Sequence, residues 1–186
     1  MTRIGKVIPK LPDEYNTQIG AIIMKWATLE FQMMVVIWRA MGLDNVEGRV
    51  LTAGMSTEVL LGILANLPRK WITDSVIKEE LSRLVKAVRD RKNFRNNIAR
   101  GIWTLYKDDP LPHLNFMKQG DQRIMPDAQA VTPSDLKGFS ISLDQMNQLA
   151  DQIVRKLGTG DVVAPLPDIH GEQNPAGLPT EIQNSK

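Results

Sequence analysis

Arginine recurs in this chain where a helix should be apolar. From Ile77 the residues Ile77, Leu81, Leu84, Val88, Arg91, Arg95, Ile98 and Ile102 fall at the spacing of one helix face, and two of them carry guanidinium groups. A guanidinium held against a core is costly unless it is paired and hydrogen-bonded, so this face must carry a buried ion pair or open onto a polar cleft. The run that closes it, Arg95-Asn96-Asn97-Ile98-Ala99-Arg100-Gly101-Ile102-Trp103, places Asn96 one turn before Arg100 on the same side of the helix. Forked guanidinium donors suit phosphate oxygens. Trp103 and Tyr106 just beyond are candidates to stack an unpaired base, with anchoring onto the core as the competing role. None of these groups titrates near neutrality, so the constellation binds anions more readily than it moves protons.

The order of residues in Arg95-Asn96-x-x-x-Arg100-Gly101 resembles the Arg-Asn-x-x-x-His-Gly motif of the HEPN superfamily, small all-helical bundles that include RNA-cleaving toxins and antiviral effectors. The resemblance implies a metal-independent endoribonuclease site, completed across a dimer. In it the arginine would stabilise phosphate charge and the histidine would assist proton transfer as the 2′-hydroxyl attacks phosphorus. Here Arg95, Asn96 and Gly101 match, and Arg100 replaces the histidine. A permanently protonated guanidinium cannot take a proton from a hydroxyl. His113 is the one substitute base in reach of the motif by sequence, and a solvent-exposed loop histidine is its simpler reading.

The elements that must position these groups are helical. A first helix is expected from Pro12-Asp13-Glu14 to Gly42, with Ile19, Ile23, Trp26, Met33, Ile37 and Ala40 on one face and Glu30 in the same register. If it packs against the motif helix, a buried pair of Glu30 with Arg91 or Arg95 is the simplest arrangement. A short helix over Val46–Ala53 follows, then one capped by Ser56 or Thr57 and stopped by Pro68. The motif helix is expected from Thr73 to Arg100. Beyond Gly101 the helical period is lost, and Leu114–Met117 and Gln122–Met125 around Gly120-Asp121 form a candidate small hairpin. Thr132-Pro133-Ser134-Asp135 opens a last helix, possible to interrupt at Gly138 and ending at Gly158.

Composition narrows the class of function. The 186 residues carry a net charge of +2, but residues 69–103 alone hold ten basic and four acidic side chains, whereas residues 104–186 are net acidic. Positive charge concentrated around the motif helix suits an anionic partner such as RNA; a solvated basic face is the plainer account. There is no cysteine, and only two histidines, so disulfides, thiolate chemistry and a zinc site are not expected. No apolar stretch of signal-peptide length precedes Pro12, and Lys25, Glu30 and Gln32 interrupt the most apolar region. Phosphate-cradling glycine loops, dinucleotide fingerprints, His-Glu-x-x-His and Gly-x-Ser-x-Gly are all missing from the sequence.

The sequence therefore predicts an all-α, HEPN-like bundle: one domain over residues 1–158, with a Pro/Gly-containing loop or hairpin after the motif helix, and a disordered tail over 159–186 rich in proline and glycine. The expected function is that of a catalytically degenerate HEPN-like cytoplasmic protein without cofactor or metal. It would be a homodimer using the first or the motif helix at its seam, binding RNA or another anionic partner through Arg91, Arg95, Asn96, Arg100 and Trp103. A defence or toxin–antitoxin setting, with a cognate antitoxin or other partner protein and no membrane, follows from the resemblance. Two alternatives stand beside it: an active metal-independent endoribonuclease with Arg95 and Arg100 as catalytic candidates, and a helical scaffold with no nucleic-acid partner.

Overall fold

A computed structural model describes residues 6–8, 10–106, 109–115 and 129–158. Within them the fold is an all-α helical bundle with a small antiparallel sheet at one end. Strand β1 (Lys6–Val7) leads to helix α1 (Asp13–Met41), the short α2 (Asn45–Thr52), α3 (Thr57–Lys70) and the motif helix α4 (Ser75–Arg100). Strands β2 (Ile102–Tyr106), β3 (Asp109–Asn115) and β4 (Gln129–Ala130) follow, and helix α5 (Pro133–Leu157) closes the described chain. Helix α5 lies along α1 and also packs on α4, while α3 bridges α1 and α4.

Local chemistry sets the helix ends. Gly42 takes the left-handed conformation (φ 70°) that lets its N–H reach back to the Arg39 carbonyl and ends α1. Asp44 and Glu47 form a reciprocal capping box on α2, and Ser56 caps α3. The cap of α4 is Asp74, whose carboxylate accepts from the Val76 and Ile77 N–H groups, rather than the expected Thr73 one residue earlier. Pro68 does not stop α3, which continues to Lys70; placed in the last turn, it removes one backbone donor without disturbing the rest of the helix. Helix α5 runs unbroken through Gly138.

Trp26, Met33, Ile37 and Ala40 of the expected α1 stripe are buried, Ile22, Leu29 and Val36 join them, and Ile19 and Ile23 are partly exposed. By length and composition α1 could cross a bilayer. Its inner stripe is covered by the other helices, and Lys25 on its flank pairs with Asp144 of α5 at 2.6 Å.

Four strands in the order β1-β2-β3-β4 replace the expected hairpin. Leu114 pairs with Trp103 on one side and with Gln129 on the other, so its partners are β2 and β4 and not the 122–125 segment. Residues 116–128 lie outside the described residues, as does the tail over 159–186. Trp103 and Leu114, cross-strand partners, both turn into the core; Thr104 and His113, the next pair, lie on the opposite face by the two-residue period of the strand. The sheet thus ties the end of α4 back to the start of the chain, where Ile8 N–H donates to the Trp103 carbonyl.

Candidate anion-binding site

Helix α4 delivers the motif from the core to the surface. Its inward stripe is buried at Ile77, Leu81, Leu84 and Val88, opens at the exposed Arg91 and half-buried Arg95, and closes again at Ile98, one turn after Arg95; Ala99 and Arg100 beyond it are exposed. The cations of this stretch divide into two groups. Lys86 is held by Asp90 and Lys92 by Glu58 of α3, whose carboxyl is drawn below the usual carboxylate range by the hydrogen bond and charge of Lys92. Arg89, Arg91, Arg95 and Arg100 have no carboxylate within ion-pair distance among the described residues.

The expected ion pair of Glu30 with Arg91 or Arg95 is not formed. Glu30 faces the first turn of α3 and accepts a hydrogen bond from the Thr57 hydroxyl. Arg95 meets α1 one turn earlier, with its guanidinium carbon 5.5 Å from the centre of the Trp26 ring. Trp26 therefore takes the place expected for a carboxylate. Its π-face attracts the cation without neutralising it. Nη1 of Arg95 donates to the Asn96 side-chain oxygen at 3.0 Å, which fixes one end of the guanidinium. Nε is buried and has no acceptor, and the Trp26 indole N–H is likewise buried and unpartnered among the described residues.

The remaining candidates separate. Arg100, in the last turn of α4, is exposed. Asn96 is half-buried and turned to Arg95. Trp103, read as a stacking platform, is 9% exposed and meets Tyr15 edge-to-face at 6.0 Å; it belongs to the core, where a base has no access to its ring face. Tyr106 lies edge-on to His113 at 4.7 Å. His113 is no loop residue: it sits in β3, largely shielded, with Nε2 at 2.8 Å from Asp109 Oδ2. Trp26 is the residue the sequence reading missed, since in the pattern it was one more apolar position.

Among the described residues, two cavities flank the bundle without Arg91, Arg95 or Arg100 in their lining. One, of about 640 Å³, lies between the start of α1 and the sheet and is lined by Pro12, Tyr15, Leu105 and Pro110 among others. The other, of about 260 Å³, lies between α3 and α4, with Leu64, Leu81 and Val85 below Lys86 and Arg89. Arg91 and Arg100 are surface side chains and Arg95 a half-buried one, so any ligand of theirs meets them at the surface rather than in an enclosed cavity. No group of three or more potential metal-ligating side chains occurs among the described residues. Comparison of the chain with protein-family models, curated proteins and solved structures gave no match.

Proposed function

We propose that this chain is a HEPN-like protein that has lost the proton-transfer half of its nuclease site and keeps the anion-binding half. It binds RNA, or another nucleic acid, through Arg91, Arg95, Asn96 and Arg100, as a cytoplasmic homodimer with α1 or α4 at its seam. A defence or toxin–antitoxin setting with a cognate protein partner extends the same resemblance. The observation that carries the reading is Arg95: a half-buried guanidinium, oriented by Asn96 and Trp26, with no carboxylate to neutralise it. Such a charge is best compensated by an anion from outside the chain. Arg91, exposed one turn before Arg95, extends the positive surface on the same side of α4, whereas Arg100, also exposed, lies about 140° round the helix from Arg95.

Fluorescence anisotropy with a labelled single-stranded RNA at low salt tests this. Arg95→Ala weakens binding about tenfold and lowers the salt slope by about 0.7, the loss of one phosphate contact. Absence of RNA binding by the unaltered protein at low salt would favour the scaffold reading. RNA cleavage without divalent metal that disappears in Arg95→Ala would favour the active nuclease. Cleavage gained by Arg100→His identifies the histidine as the one missing part.

A further inference from the structure

Helices α3 and α4 leave an open cleft of about 260 Å³ between them. Ala65 and Pro68 of α3 face Ser82, Val85 and Lys86 of α4 across it, with the buried Leu64 and Leu81 beneath. Its volume suits aliphatic side chains and is too narrow for a whole helix. Arg89 stands at its end along α4, exposed and with no carboxylate within ion-pair distance among the described residues. Glu58, whose carboxyl feels that charge, is bound by Lys92. Arg83 adds a further exposed cation on the outer face of α4. The cleft is thus apolar within and positive at its rim, which is complementary to an extended segment of aliphatic and acidic side chains.

Such a segment follows the end of α5. Lys156 Nζ donates to Glu80 at 2.6 Å, so the last turn of α5 stands beside the turn of α4 at which the cleft starts. The way from there to Ser82 crosses the exposed outer face of α4 at Glu79, Arg83 and Lys86, an arc on the order of 15–20 Å round a helix of ordinary width. Residues 159–186, outside the described residues, carry Asp161, Asp168, Glu172 and Glu181 against Lys186 alone. Between Asp161 and Glu172 lie Val163, Leu166 and Ile169, with Pro165 and Pro167 among them. Proline favours the polyproline II backbone, whose period of three residues sets those aliphatic positions on one edge. At about 3.1 Å per residue, the chain from Gly158 to Leu166 reaches about 25 Å, enough to span the arc.

We infer that the acidic segment 161–172 docks in cis into the α3–α4 cleft, its aliphatic edge against the apolar part and its carboxylates toward Arg89 and Arg83. An anion approaching this face of α4 must displace the segment, which is therefore a competitor built into the chain. Arg95, six residues beyond Arg89, lies about 120° round the helix from it, so the inference does not rest on the RNA reading.

The chain has no cysteine, so Ala164→Cys gives a single site for a nitroxide label on the full protein. Broadening of backbone amides by the label is read by ¹H–¹⁵N NMR. Docking removes intensity at Ala65 and Ser82, on the two walls of the cleft, more than at Glu79, which adjoins the residue that α5 contacts. Arg89→Glu, at an exposed position, and Leu166→Ser each restore the intensity at Ala65 and Ser82. Broadening that is no stronger at Ala65 and Ser82 than at Glu79, or that survives either substitution, overturns the inference. In a second sample, ¹⁵N protein without the label is mixed with labelled ¹⁴N protein. Docking in cis leaves its amides sharp; broadening at Ala65 and Ser82 there assigns the segment to a second copy and overturns docking in cis.

Discussion

Glu80 sits three residues after Ile77 on α4, only 8% exposed, with Oε1 accepting a 2.6 Å hydrogen bond from Lys156 of α5 and Oε2 buried without a partner among the described residues. It is the carboxylate that the bundle buries, in place of the expected Glu30. The two ends of this pair are unequal, because the Lys156 side chain is 41% exposed and Glu80 is buried. Breaking a fully buried pair costs about 3–5 kcal/mol; with one end this open, Glu80→Ala should cost about 1–3 kcal/mol in chemical denaturation. A loss as large as that of a fully buried pair would mean Lys156 is held in place by its surroundings. Arg95 illustrates the opposite case. There the partner of a half-buried charge is a ring, which attracts the cation without neutralising it; the proposed function assigns the compensation to an external anion.

At the scale of elements, the ends of the helices were the most legible part of the sequence. Gly42, Ser56 and the Thr132-Pro133 pair work through short-range hydrogen bonds and backbone preference, which sequence spells out directly. The sheet was not legible. β2 and β3 are short, β3 carries two prolines, and their pairing depends on contacts that no local pattern encodes. The motif was legible as a break in an apolar stripe, but not its partner: whether Glu30 or Trp26 meets Arg95 depends on the height at which α4 crosses α1. Thr132 carries a pH-dependent expectation. Its backbone N–H and hydroxyl donate to Asp135, holding that carboxyl below the usual carboxylate range. A depressed folded value gives stability that is present above the unfolded carboxylate pKa of about 3.9 and is lost as pH falls through the lower folded value. Thr132→Ala should therefore cost about 1 kcal/mol near neutrality. In pH-dependent thermal melts only the part owed to the hydroxyl's bond to the Asp135 carboxylate fades as pH falls through the lowered Asp135 value; the cap bond from the Asp135 N–H to the Thr132 hydroxyl does not titrate, so most of the difference persists in acid. Helix α2 makes a steric prediction of the opposite kind to helix propensity. A Cβ on Gly48 would lie 2.3–2.6 Å from the ring atoms of Trp38, which is itself held by a hydrogen bond to Thr52. Gly48→Ala in a helix ordinarily gains up to about 1 kcal/mol; here overpacking of about 1–3 kcal/mol outweighs it, and the melting temperature falls.

At the scale of the whole molecule, charge and apolar surface lie on different elements. The unpaired arginines gather at the end of α4, whereas the outward side of α1 from Gly20 through Met24, Ala27, Thr28, Phe31 and Val35 carries no charge. Of the charges that flank it, Lys25 is used by Asp144 and Glu30 by Thr57, while Arg39, one turn beyond Val35, is exposed and bounds the stripe. Met24 is 71% and Phe31 52% exposed, two turns apart on this side, with only small residues between them. The proposed homodimer finds its simplest seam here. Two copies of an uncharged stripe meet without bringing like charges together, and an isologous contact uses the same patch twice. Gly20 and Ala27 allow the two helices to approach closely. One helix face of this length falls at the small end of the areas that hold stable dimers, so the dissociation constant should be about 1–100 µM. Sedimentation equilibrium across that range should show the mass rising from 20.9 kDa toward twice that value. Phe31→Glu places a like charge on both sides of the seam and should hold the protein at the monomer mass, with its far-ultraviolet circular dichroism unchanged. If the groove spans the seam, the same substitution weakens RNA binding although Phe31 touches none of the arginines. A monomer at every concentration, with RNA binding intact, would instead place the whole anion site on one chain and leave the α1 face to a different partner.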